Sequence, residues 1–342
     1  MSKVSIQIVT WNSMRYVFDC LESLMKQSFR DFSILVIDNG SDDGTVEFIR
    51  SNYPTVSVLQ NFKNLGFSKA NNQGIQLAKS DYVLVMNPDV VLADDFLEKL
   101  VVFADQHPNG ASFGGKVLKL HSEAIDDNDQ SGLREMVKSD IIDAAGLKIF
   151  KSRKVINRGE GEKDKGQYNR AEEVFGLSGA CVLYRKAALE DVAVKNEFFD
   201  VDFFAYKEDI DLSWRLRLYG WLNWYYPDAV CHHRRRLVSY ESKGAKRVIY
   251  QRQDVSKLLR ALSFRNHHLL LVKNDQSLNI ILDLPWILPR ELKVVIYALI
   301  FEPFQYRSLL RFFQLLPSVL MKRRIIMAHK KVQPKEIRKW FK

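Results

Sequence analysis

Residues 81–86 constrain the fold of this chain more than any other segment. They read DYVLVM, a near-continuous apolar run of strand length, and Asn87, Pro88 and Asp89 follow. Such a run is typical of a strand buried on both faces of a parallel sheet. Proline cannot continue the hydrogen-bond ladder, so the strand is expected to end there. Asp89 would then lie at the carboxyl edge of the sheet, where open α/β sheets bind their ligands.

The chemistry at that edge has two interpretations. Asp89, with the polar Asn87 two residues earlier, suits a divalent cation that bridges a diphosphate. Alternatively, Asp89 only caps the turn at a strand-to-loop corner. The tripeptide alone leaves both interpretations open.

The first 80 residues alternate between strand and helix patterns. Strands are predicted at residues 4–9, 32–37 and 56–59, and apolar residues at helical spacing follow each of them. Turn-forming residues, densest at 38–45, separate the elements. Together with the strand at 81–86, this β-α-β-α-β-α-β order predicts a parallel sheet with ligand-binding loops along one edge.

Several common nucleotide-binding classes are excluded. The chain has no G-x-x-x-x-G-K-[ST] loop and no G-x-G-x-x-G after a strand, which argues against P-loop NTPases and dinucleotide-binding Rossmann enzymes. The acidic loop that starts at Asp38 has Ile49 at its twelfth position, where a calcium-binding EF-hand requires a glutamate.

Four segments of the N-terminal part form a recognisable set. They are VTWN at 9–12, VIDNGSDDGT at 36–45, NLGFSKANNQG at 64–74 and MNPD at 86–89. In this order and spacing they resemble the donor half of an inverting family-two glycosyltransferase with the GT-A fold, and most closely its bacterial rhamnosyltransferase-like subgroup. The D-x-D motif usual in that family is here Asn87-x-Asp89, which leaves one strongly anionic ligand.

The resemblance implies a nucleotide-sugar donor site on these loops. Asp38 would accept hydrogen bonds from the base or the ribose, with a plain turn cap as the alternative. Gly66 would let the backbone approach the ribose and diphosphate closely, and helix capping is the alternative role for Asn71. The implied donor-binding residues are Thr10, Asn12, Asp38, Asn64, Gly66, Asn71, Asn87, Asp89 and Gly179.

A second cluster of reactive side chains lies at residues 203–215, FFAYKEDIDLSWR. Aromatic residues lead into carboxylates, which indicates a loop that enters a helix whose first turn favours ionised carboxylates. On spacing alone, these carboxylates could simply cap a surface helix. The segment matches the family's E-D-x-D-L-x-x-R motif, which implies that Asp209 is the base for the acceptor hydroxyl and that Glu208 orients the acceptor. Asp211 and Arg215 are then expected to hold the loop in place.

Histidines and arginines at 232–236 follow a strand predicted at residues 221–230. In related GT-A enzymes a histidine at this point completes the metal site or contacts the diphosphate, and imidazole suits Mn²⁺ better than Mg²⁺. The resemblance therefore implies a divalent cation, Mg²⁺ or Mn²⁺, held by Asp89 and His232, the alternative being a structural histidine. His233 is the second choice. With Arg234 and Arg235 it is also a candidate for contact with phosphate or acceptor, unless these residues form a solvated basic turn.

Two further features concern the middle of the chain. Residues 126–173 are rich in Asp, Glu, Lys, Gly and Asn, which predicts surface loops or a partly ordered insertion. The cysteines Cys20, Cys181 and Cys231 are odd in number and widely spaced, which suits reduced thiols in the cytoplasm.

Charge is distributed unevenly along the chain. Residues 1–230 hold 27 Lys and Arg against 34 Asp and Glu, whereas residues 231–342 hold 24 against 7. No apolar run approaches the roughly 20 residues that a transmembrane helix needs, and no signal peptide is recognised. A helical face that Pro317 would kink or interrupt precedes the basic sequence at 322–324. This face consists of Leu309, Phe312, Phe313, Leu316 and Leu320.

Basic and apolar residues together predict that this tail anchors the protein on an anionic membrane surface. Nucleic acid is the rival partner for so basic a segment. Its aromatic residues lie within apolar stretches rather than among Arg and Lys, which argues against nucleic acid. A helical subdomain packed on the catalytic core is a further interpretation, compatible with membrane contact.

The sequence thus predicts an α/β protein with the GT-A nucleotide-diphospho-sugar transferase fold, a mainly parallel central sheet flanked by helices, and a C-terminal helical extension. The catalytic domain is expected at residues 1–262, with a nucleotide-sugar-binding half to about residue 120 and an acceptor and catalytic half beyond it. The tail is expected at 263–342.

The expected function is transfer of a hexose from a nucleoside-diphosphate donor to a sugar hydroxyl of a lipid-linked or cell-surface glycan. The enzyme is expected in the cytoplasm, peripheral on the inner face of the cell membrane. The resemblance favours dTDP-L-rhamnose as donor, with a UDP-sugar as the alternative. A non-catalytic nucleotide-sugar or glycan-binding protein attached to membranes is a further alternative, against which the intact Asp89, Glu208 and Asp209 argue.

Overall fold

The structure, a computed structural model, describes residues 2–124, 134–234 and 256–342. Twelve strands lie in these residues: β1 Val4–Thr10, β2 Phe32–Asp38, β3 Ser57–Gln60, β4 Tyr82–Met86, β5 Val90–Leu92, β6 Gly110–Ala124, β7 Arg134–Ala144, β8 Leu147–Ile149, β9 Val155–Asn157, β10 Glu172–Glu173, β11 Cys181–Arg185 and β12 Leu222–Arg234. The helices are α1 Met14–Met25, α2 Thr45–Asn52, α3 Phe67–Leu77, α4 Phe96–Gln106, α5 Lys186–Asp191, α6 Glu208–Leu218, α7 Lys257–Asn274, α8 Ser277–Phe301, α9 Gln305–His329 and α10 Pro334–Arg338.

Ten of these strands form one mixed sheet in the order β10-β12-β6-β11-β4-β1-β2-β3, with β5 on β12 and β7 on β6. The predicted parallel half is confirmed, since β1 pairs in parallel with both β2 and β4, and β2 with β3. Strand β4 is buried throughout. Its alternate side chains enter two different cores: Leu84 lies in the core with α1 and α4, and Val83 in the core with α6 and α7. The sheet is therefore covered on both faces.

The sheet topology gathers the predicted site segments. Thr10 and Asp38 are register partners at the carboxyl ends of β1 and β2. Strand β5 leads away from the turn after β4 and pairs antiparallel with the end of β12, with Val90 opposite His233. In addition, the Arg234 N–H donates to the Asp89 carbonyl at 2.9 Å. Residues 87–89 and 231–234 therefore lie next to each other, although they are far apart in the sequence.

The prediction of surface loops at 126–173 is wrong for residues 134–157, whereas residues 158–171 are turns and irregular backbone that lie mostly at the surface. Residues 126–133 lie outside the described residues. Residues 134–157 contribute β7, β8 and β9, and Ile142, Leu147 and Ile149 are buried in the main core. Short strands bury only alternate residues, so the segment as a whole remains polar in composition while its inward face is apolar.

The C-terminal helices share a core with the half of the chain in which acceptor binding and catalysis are predicted. The predicted boundary between residues 262 and 263 falls inside α7. Leu269 of α7 and Ile326 of α9 belong to the same apolar cluster as Trp214 of α6. Buried ion pairs reinforce this packing: Lys322 of α9 contacts Asp200 at 2.5 Å and Glu197 and Asp202 at 2.9 Å.

The solvent-facing surface of the tail differs from the predicted one. Helix α9 continues through Pro317. Phe313 and Leu320 of the predicted face are exposed, Leu309 and Leu316 are half-buried, and Phe312 packs partly against the core. Lys322, from the basic sequence that follows, is buried in ion pairs. The exposed apolar surface lies mainly on α8. Its large exposed side chains are Leu278, Ile281, Leu282, Leu284, Trp286, Leu288, Leu292, Ile296, Ile300 and Phe301.

Candidate active site

The loop after β2 is organised by the Asp38 carboxylate. One oxygen accepts hydrogen bonds from the hydroxyls of Thr10 at 2.8 Å and Ser41 at 2.5 Å, and the other from the backbone N–H groups of Gly40 and Ser41. Asn12, in the left-handed region with φ of 50°, accepts from the Asp42 N–H. The structure thus brings Thr10, Asn12 and Asp38 into one hydrogen-bonded turn, in which the fully buried Asp38 fixes the loop from inside.

The loop before α3 contacts Phe204, in the segment that leads into the predicted base. The Asn64 side chain accepts from the Gly66 N–H at 2.8 Å. Gly66 has φ of +83°, and a Cβ there would lie 2.5 Å from the Phe204 ring, so only glycine fits. Asn71 lies inside α3 rather than at its cap. From this position its side chain donates to the Phe67 carbonyl. Its buried Oδ1 has no hydrogen-bond partner among the described residues.

A chain of hydrogen-bonded side chains surrounds Asp89. The His233 imidazole reaches Asp89 through Nε2 at 3.2 Å and Asp143 through Nδ1 at 3.0 Å. Burial alone would lower the pKa of His233, but the hydrogen bonds with Asp143 and Asp89 raise it to about 9. His233 therefore links a half-exposed carboxylate to a fully buried one.

The structure pairs His233, not His232, with Asp89. Neighbouring residues of a strand point to opposite faces, and the pairing of β12 with β5 places His233 on the Asp89 side. Burial, and then the charge of Lys138, lowers the pKa of His232 to about 4. Arg234 contacts Asp19 at 3.0 Å on α1, and Arg235 lies outside the described residues.

The donor set at Asp89 fits a divalent cation that displaces the proton held between His233 Nε2 and Asp89, because a metal-binding imidazole nitrogen must be deprotonated. A histidine ligand usually donates its second ring nitrogen to a carboxylate, and Asp143 holds His233 in that way. Within residues 2–124, 134–234 and 256–342, no cluster of three or more His, Cys, Asp or Glu side chains forms a complete metal cage. A cation bound through one carboxylate and one imidazole would therefore need oxygens from a bound diphosphate, which is how Mg²⁺ is commonly held.

The predicted base lies at the first turn of α6. One oxygen of the half-buried Asp209 carboxylate accepts from the Gly179 N–H at 2.9 Å and the other from the Ile210 N–H at 2.8 Å. The neighbouring Ala180 carbonyl accepts from the Asn87 N–H at 2.8 Å. The segment at 179–180 therefore joins the Asp209 carboxylate to the turn that carries Asp89.

The two carboxylates of this turn have different electrostatic environments. Burial, and then the charge of Asp209, raises the pKa of Glu208 to about 8, and its Oε2 has no hydrogen-bond partner among the described residues. Burial also raises the pKa of Asp209, but the N–H groups of Gly179 and Ile210 oppose that rise. Glu208 is therefore expected to hold the proton at neutral pH, while the two N–H donors favour the ionised form of Asp209.

Strained backbone leads into these carboxylates. Phe204, Tyr206 and Lys207 have φ of 64°, 72° and 69°. Each such residue costs about 1–3 kcal/mol and persists only where the surrounding structure fixes it. Asp211 and Arg215 form a buried pair at 3.0 Å, and Arg215 also donates to the carbonyls of Val192 and Phe198. That this pair holds the loop at 203–207 in place stays a prediction.

The sequence interpretation missed two residues of the site. Asp143 is a carboxylate between Ile142 and Ala144 in β7, and Asn266 is an amide within the apolar pattern of α7. For Asp143 the available signal was a single polar residue among apolar neighbours, because a buried polar group needs hydrogen-bond partners. Asn266 lies between Arg265 and His267, so its neighbours in the sequence gave no such signal.

Comparison with known proteins agrees with this architecture. The model of the family described as glycosyl transferase family 2 matches residues 5–193. An N-acetylglucosaminyl-diphospho-decaprenol L-rhamnosyltransferase of Mycobacterium tuberculosis is 30% identical over 239 residues, which cover 66% of this chain and 74% of that protein. A poly-beta-1,6-N-acetyl-D-glucosamine synthase of Staphylococcus epidermidis is 26% identical over 236 residues, 67% of this chain but only 49% of that protein.

Solved structures show the same fold at low sequence identity. The crystal structure of S. aureus TarS superposes with a TM-score of 0.52 and 18% identity over 99% of this chain and 89% of that chain. The mannosyltransferase PcManGT from Pyrobaculum calidifontis, in complex with GDP-Man and Mn²⁺, gives a TM-score of 0.52 and 14% identity over 96% and 86% of the two chains.

Proposed function

Because the chain belongs to glycosyl transferase family 2, we propose that it is an inverting hexosyltransferase whose base is Asp209. The observation that carries the proposal is the backbone connection at residues 179–180. Gly179 donates to Asp209, and Ala180 accepts from Asn87, next to the Asp89 turn. A base for the acceptor and an anionic ligand for the donor's diphosphate would thus face one cleft.

Different residues would bind the nucleotide, hold the metal ion and accept the proton. The loops that carry Thr10, Asp38 and Gly66 would bind the nucleotide. Asp89 and His233 would hold Mg²⁺ or Mn²⁺, whose positive charge, when bound, neutralises the leaving diphosphate. Asp209 would take the proton of the acceptor hydroxyl while the hydroxyl oxygen attacks the anomeric carbon in line with the leaving diphosphate. Such an attack inverts the configuration at that carbon.

Glu208 has a separate role in this scheme. Its buried, protonated carboxyl group is a hydrogen-bond donor, so it would orient an acceptor oxygen beside Asp209 rather than compete for the proton. The different environments of the two carboxylates support this division of roles.

We propose dTDP-L-rhamnose as the donor and a lipid-linked glycan as the acceptor. The support is the 30% identity with a protein named as an L-rhamnosyltransferase acting on a diphospho-decaprenol-linked sugar. A UDP-sugar is the alternative donor.

A donor panel tests this proposal. Thermal unfolding is measured with dTDP-L-rhamnose, UDP-glucose, UDP-N-acetylglucosamine and GDP-mannose, each with and without Mn²⁺ or Mg²⁺. The largest metal-dependent stabilisation is expected with dTDP-L-rhamnose, and the NMR spectrum of the transfer product should show the anomeric configuration opposite to that of the donor. If only the UDP-sugars stabilise the protein, the donor is a UDP-sugar rather than dTDP-L-rhamnose. Retention of configuration would refute the role of Asp209.

We further propose that the protein lies on the inner face of the cell membrane through α8. No helix in the described part of the chain is long and apolar enough to cross a bilayer. An exposed row of leucine, isoleucine and tryptophan on α8 has the composition of an interfacial helix. The exposed cations Lys293, Arg307 and Arg311 lie on α8 and on the first turns of α9. Basic residues add about 1 kcal/mol each near an anionic surface.

Vesicle sedimentation tests the membrane proposal. The triple substitution Ile281→Ser, Trp286→Ser and Leu292→Ser should reduce binding to anionic vesicles by at least tenfold, while Val102→Ser, an exposed apolar residue on α4, should not. High salt should weaken but not abolish binding by the wild type. Unchanged sedimentation of the triple variant would refute a role for α8, and binding of duplex DNA or RNA with a steep salt dependence would indicate nucleic acid instead.

A further inference from the structure

The backbone that precedes Glu208 and Asp209 has its carbonyl groups held from outside the segment. Phe204, Tyr206 and Lys207 have positive φ, a conformation that non-glycine residues keep only under external constraint. On one side, the Ser68 N–H donates to the Phe204 carbonyl at 3.1 Å. The other contacts come from α7, in the C-terminal part of the chain.

Asn266 provides most of the contacts from α7. Its fully buried Nδ2 lies 2.9 Å from the carbonyl oxygens of Phe203 and Ala205 and 2.8 Å from that of Tyr206. Since a primary amide has two N–H donors, the three acceptors share them. One side chain therefore fixes three of the carbonyl groups that define the strained path.

Arg265 fixes the orientation of that amide. Its Nε donates to Asn266 Oδ1 at 3.0 Å, which identifies the oxygen and leaves Nδ2 facing the segment. Its Nη2 also donates to the carbonyls of Asp202 at 2.9 Å and Phe203 at 3.1 Å. The two neighbouring residues of α7 thus bind four carbonyl groups between residues 202 and 206.

We propose that Asn266 is a positioning residue for glycosyl transfer, which holds residues 203–207 so that Asp209 meets the acceptor hydroxyl. The inference rests on the proposed function. Asn266 is enclosed by protein, so its loss should alter the placement of the base rather than the binding of the donor. A displacement of about 1 Å at a reacting group can cost on the order of 100-fold in rate.

The test compares Asn266→Asp, which keeps the size but removes the donor group, with Arg265→Ala, which is less prone to unfold because Arg265 is only partly buried. Asn279→Asp is the matched control, since Asn279 is equally buried but donates to the Pro334 carbonyl, away from the site. The readouts are kcat and KM with dTDP-L-rhamnose and N-acetylglucosaminyl-diphospho-decaprenol, the affinity for dTDP, and hydrogen exchange of amides 203–209.

Asn266→Asp should lower kcat by about 100-fold and Arg265→Ala by about 10-fold, with both KM values and dTDP affinity within about twofold of wild type. Exchange at 203–209 should accelerate in both variants and not in Asn279→Asp. Wild-type kcat and exchange in folded Asn266→Asp, or in Arg265→Ala if the first variant does not fold, would overturn the inference. Undiminished turnover in Asp209→Asn would show, separately, that the proposed function is wrong. If the wild type shows no turnover with these substrates, the hydrogen-exchange data alone decide whether Asn266 holds the segment.

Discussion

Replacement of Asp209 by asparagine tests the central chemical assignment. The side chain keeps its shape but loses the ability to accept a proton. A positioned general base contributes a factor of about 10²–10⁴ to a rate, which corresponds to about 2.7–5.4 kcal/mol of activation free energy. Turnover by Asp209→Asn should therefore fall by at least 100-fold, while the affinity for the nucleoside diphosphate remains, because the base acts on the acceptor.

The structure also predicts a change in stability. Both Asp209 oxygens accept backbone N–H bonds, at 2.9 and 2.8 Å, and the NH₂ group of asparagine cannot replace one of them. A hydrogen bond to a charged group contributes about 1.5–3 kcal/mol. The neutral side chain is less costly to bury, which offsets part of this loss. The free energy of unfolding should therefore fall by no more than about 3 kcal/mol, so the variant should remain folded.

The assay must separate the two effects. Asp43 also accepts backbone N–H bonds through both oxygens at the start of a helix, from Met14 and Thr45, but lies away from Asp209. Asp43 belongs to the loop proposed to bind the nucleotide, so its replacement can raise the KM for the donor. At saturating donor, Asp43→Asn should show a comparable loss of stability in denaturant titrations without a 100-fold loss of kcat. If Asp209→Asn keeps turnover within fivefold of wild type, Asp209 is not the base.

Three other predictions concern the metal, the neighbouring carboxyl group and the tail. Asp89→Ala and His233→Ala should each abolish the effect of Mn²⁺ on nucleoside diphosphate binding in calorimetry, whereas His232→Ala should retain it; the opposite order for the two histidines would contradict the geometry. Glu208 has a folded pKa of about 8 against an ordinary value of 4.5, so the folded state binds the extra proton and stability falls as pH rises from about 4.5 to 8. Glu208→Gln should remove this dependence in unfolding measurements and stabilise the protein most at or above pH 8; an unchanged pH profile would show that Glu208 is ionised in the folded protein. Truncation after residue 275 should leave an unfolded chain by circular dichroism, and a folded, monomeric product would show that the tail is dispensable.

The parallel half of the sheet could be predicted because its signals are local. Each strand from β1 to β4 is a short apolar run that ends in turn-forming residues, and the carboxyl ends of parallel strands share one edge. Asp38 and Asp89 could therefore be placed at that edge from the sequence alone. Asp209 could be placed at a helix start because aromatic residues, a turn and carboxylates follow one another directly in the chain.

The choice between His232 and His233 could not be made locally. Both belong to one strand, and a shift of one residue in pairing exchanges the faces of all its side chains. The register of β12 against β5 decides which histidine meets Asp89, and it depends on strands that lie far apart in sequence. For the same reason Asp143, which comes from β7, was not recognised as the partner of His233.

The tail shows a different limit of sequence patterns. A helical stripe of apolar residues identifies a face that avoids water, but it does not state whether protein or lipid covers that face. Phe312 packs partly against the core, whereas Ile281 and Trp286 remain exposed. Lys322 is within a basic run, yet it is buried because three carboxylates from residues 197–202 surround it.

These contacts tie the C-terminal helices to the residues on either side of the proposed base. Lys273 of α7 pairs with Asp200 and Asp211, on either side of the catalytic segment, and Lys322 of α9 pairs with Asp200 from the other direction. Removing one partner from a buried ion pair costs about 3–5 kcal/mol, because the remaining charge is left without compensation. Helix α8 connects these two helices and carries the exposed apolar surface. If α8 rests on the membrane as proposed, the ion pairs would hold Asp209 at a fixed height above the bilayer, as transfer to a lipid-linked acceptor requires.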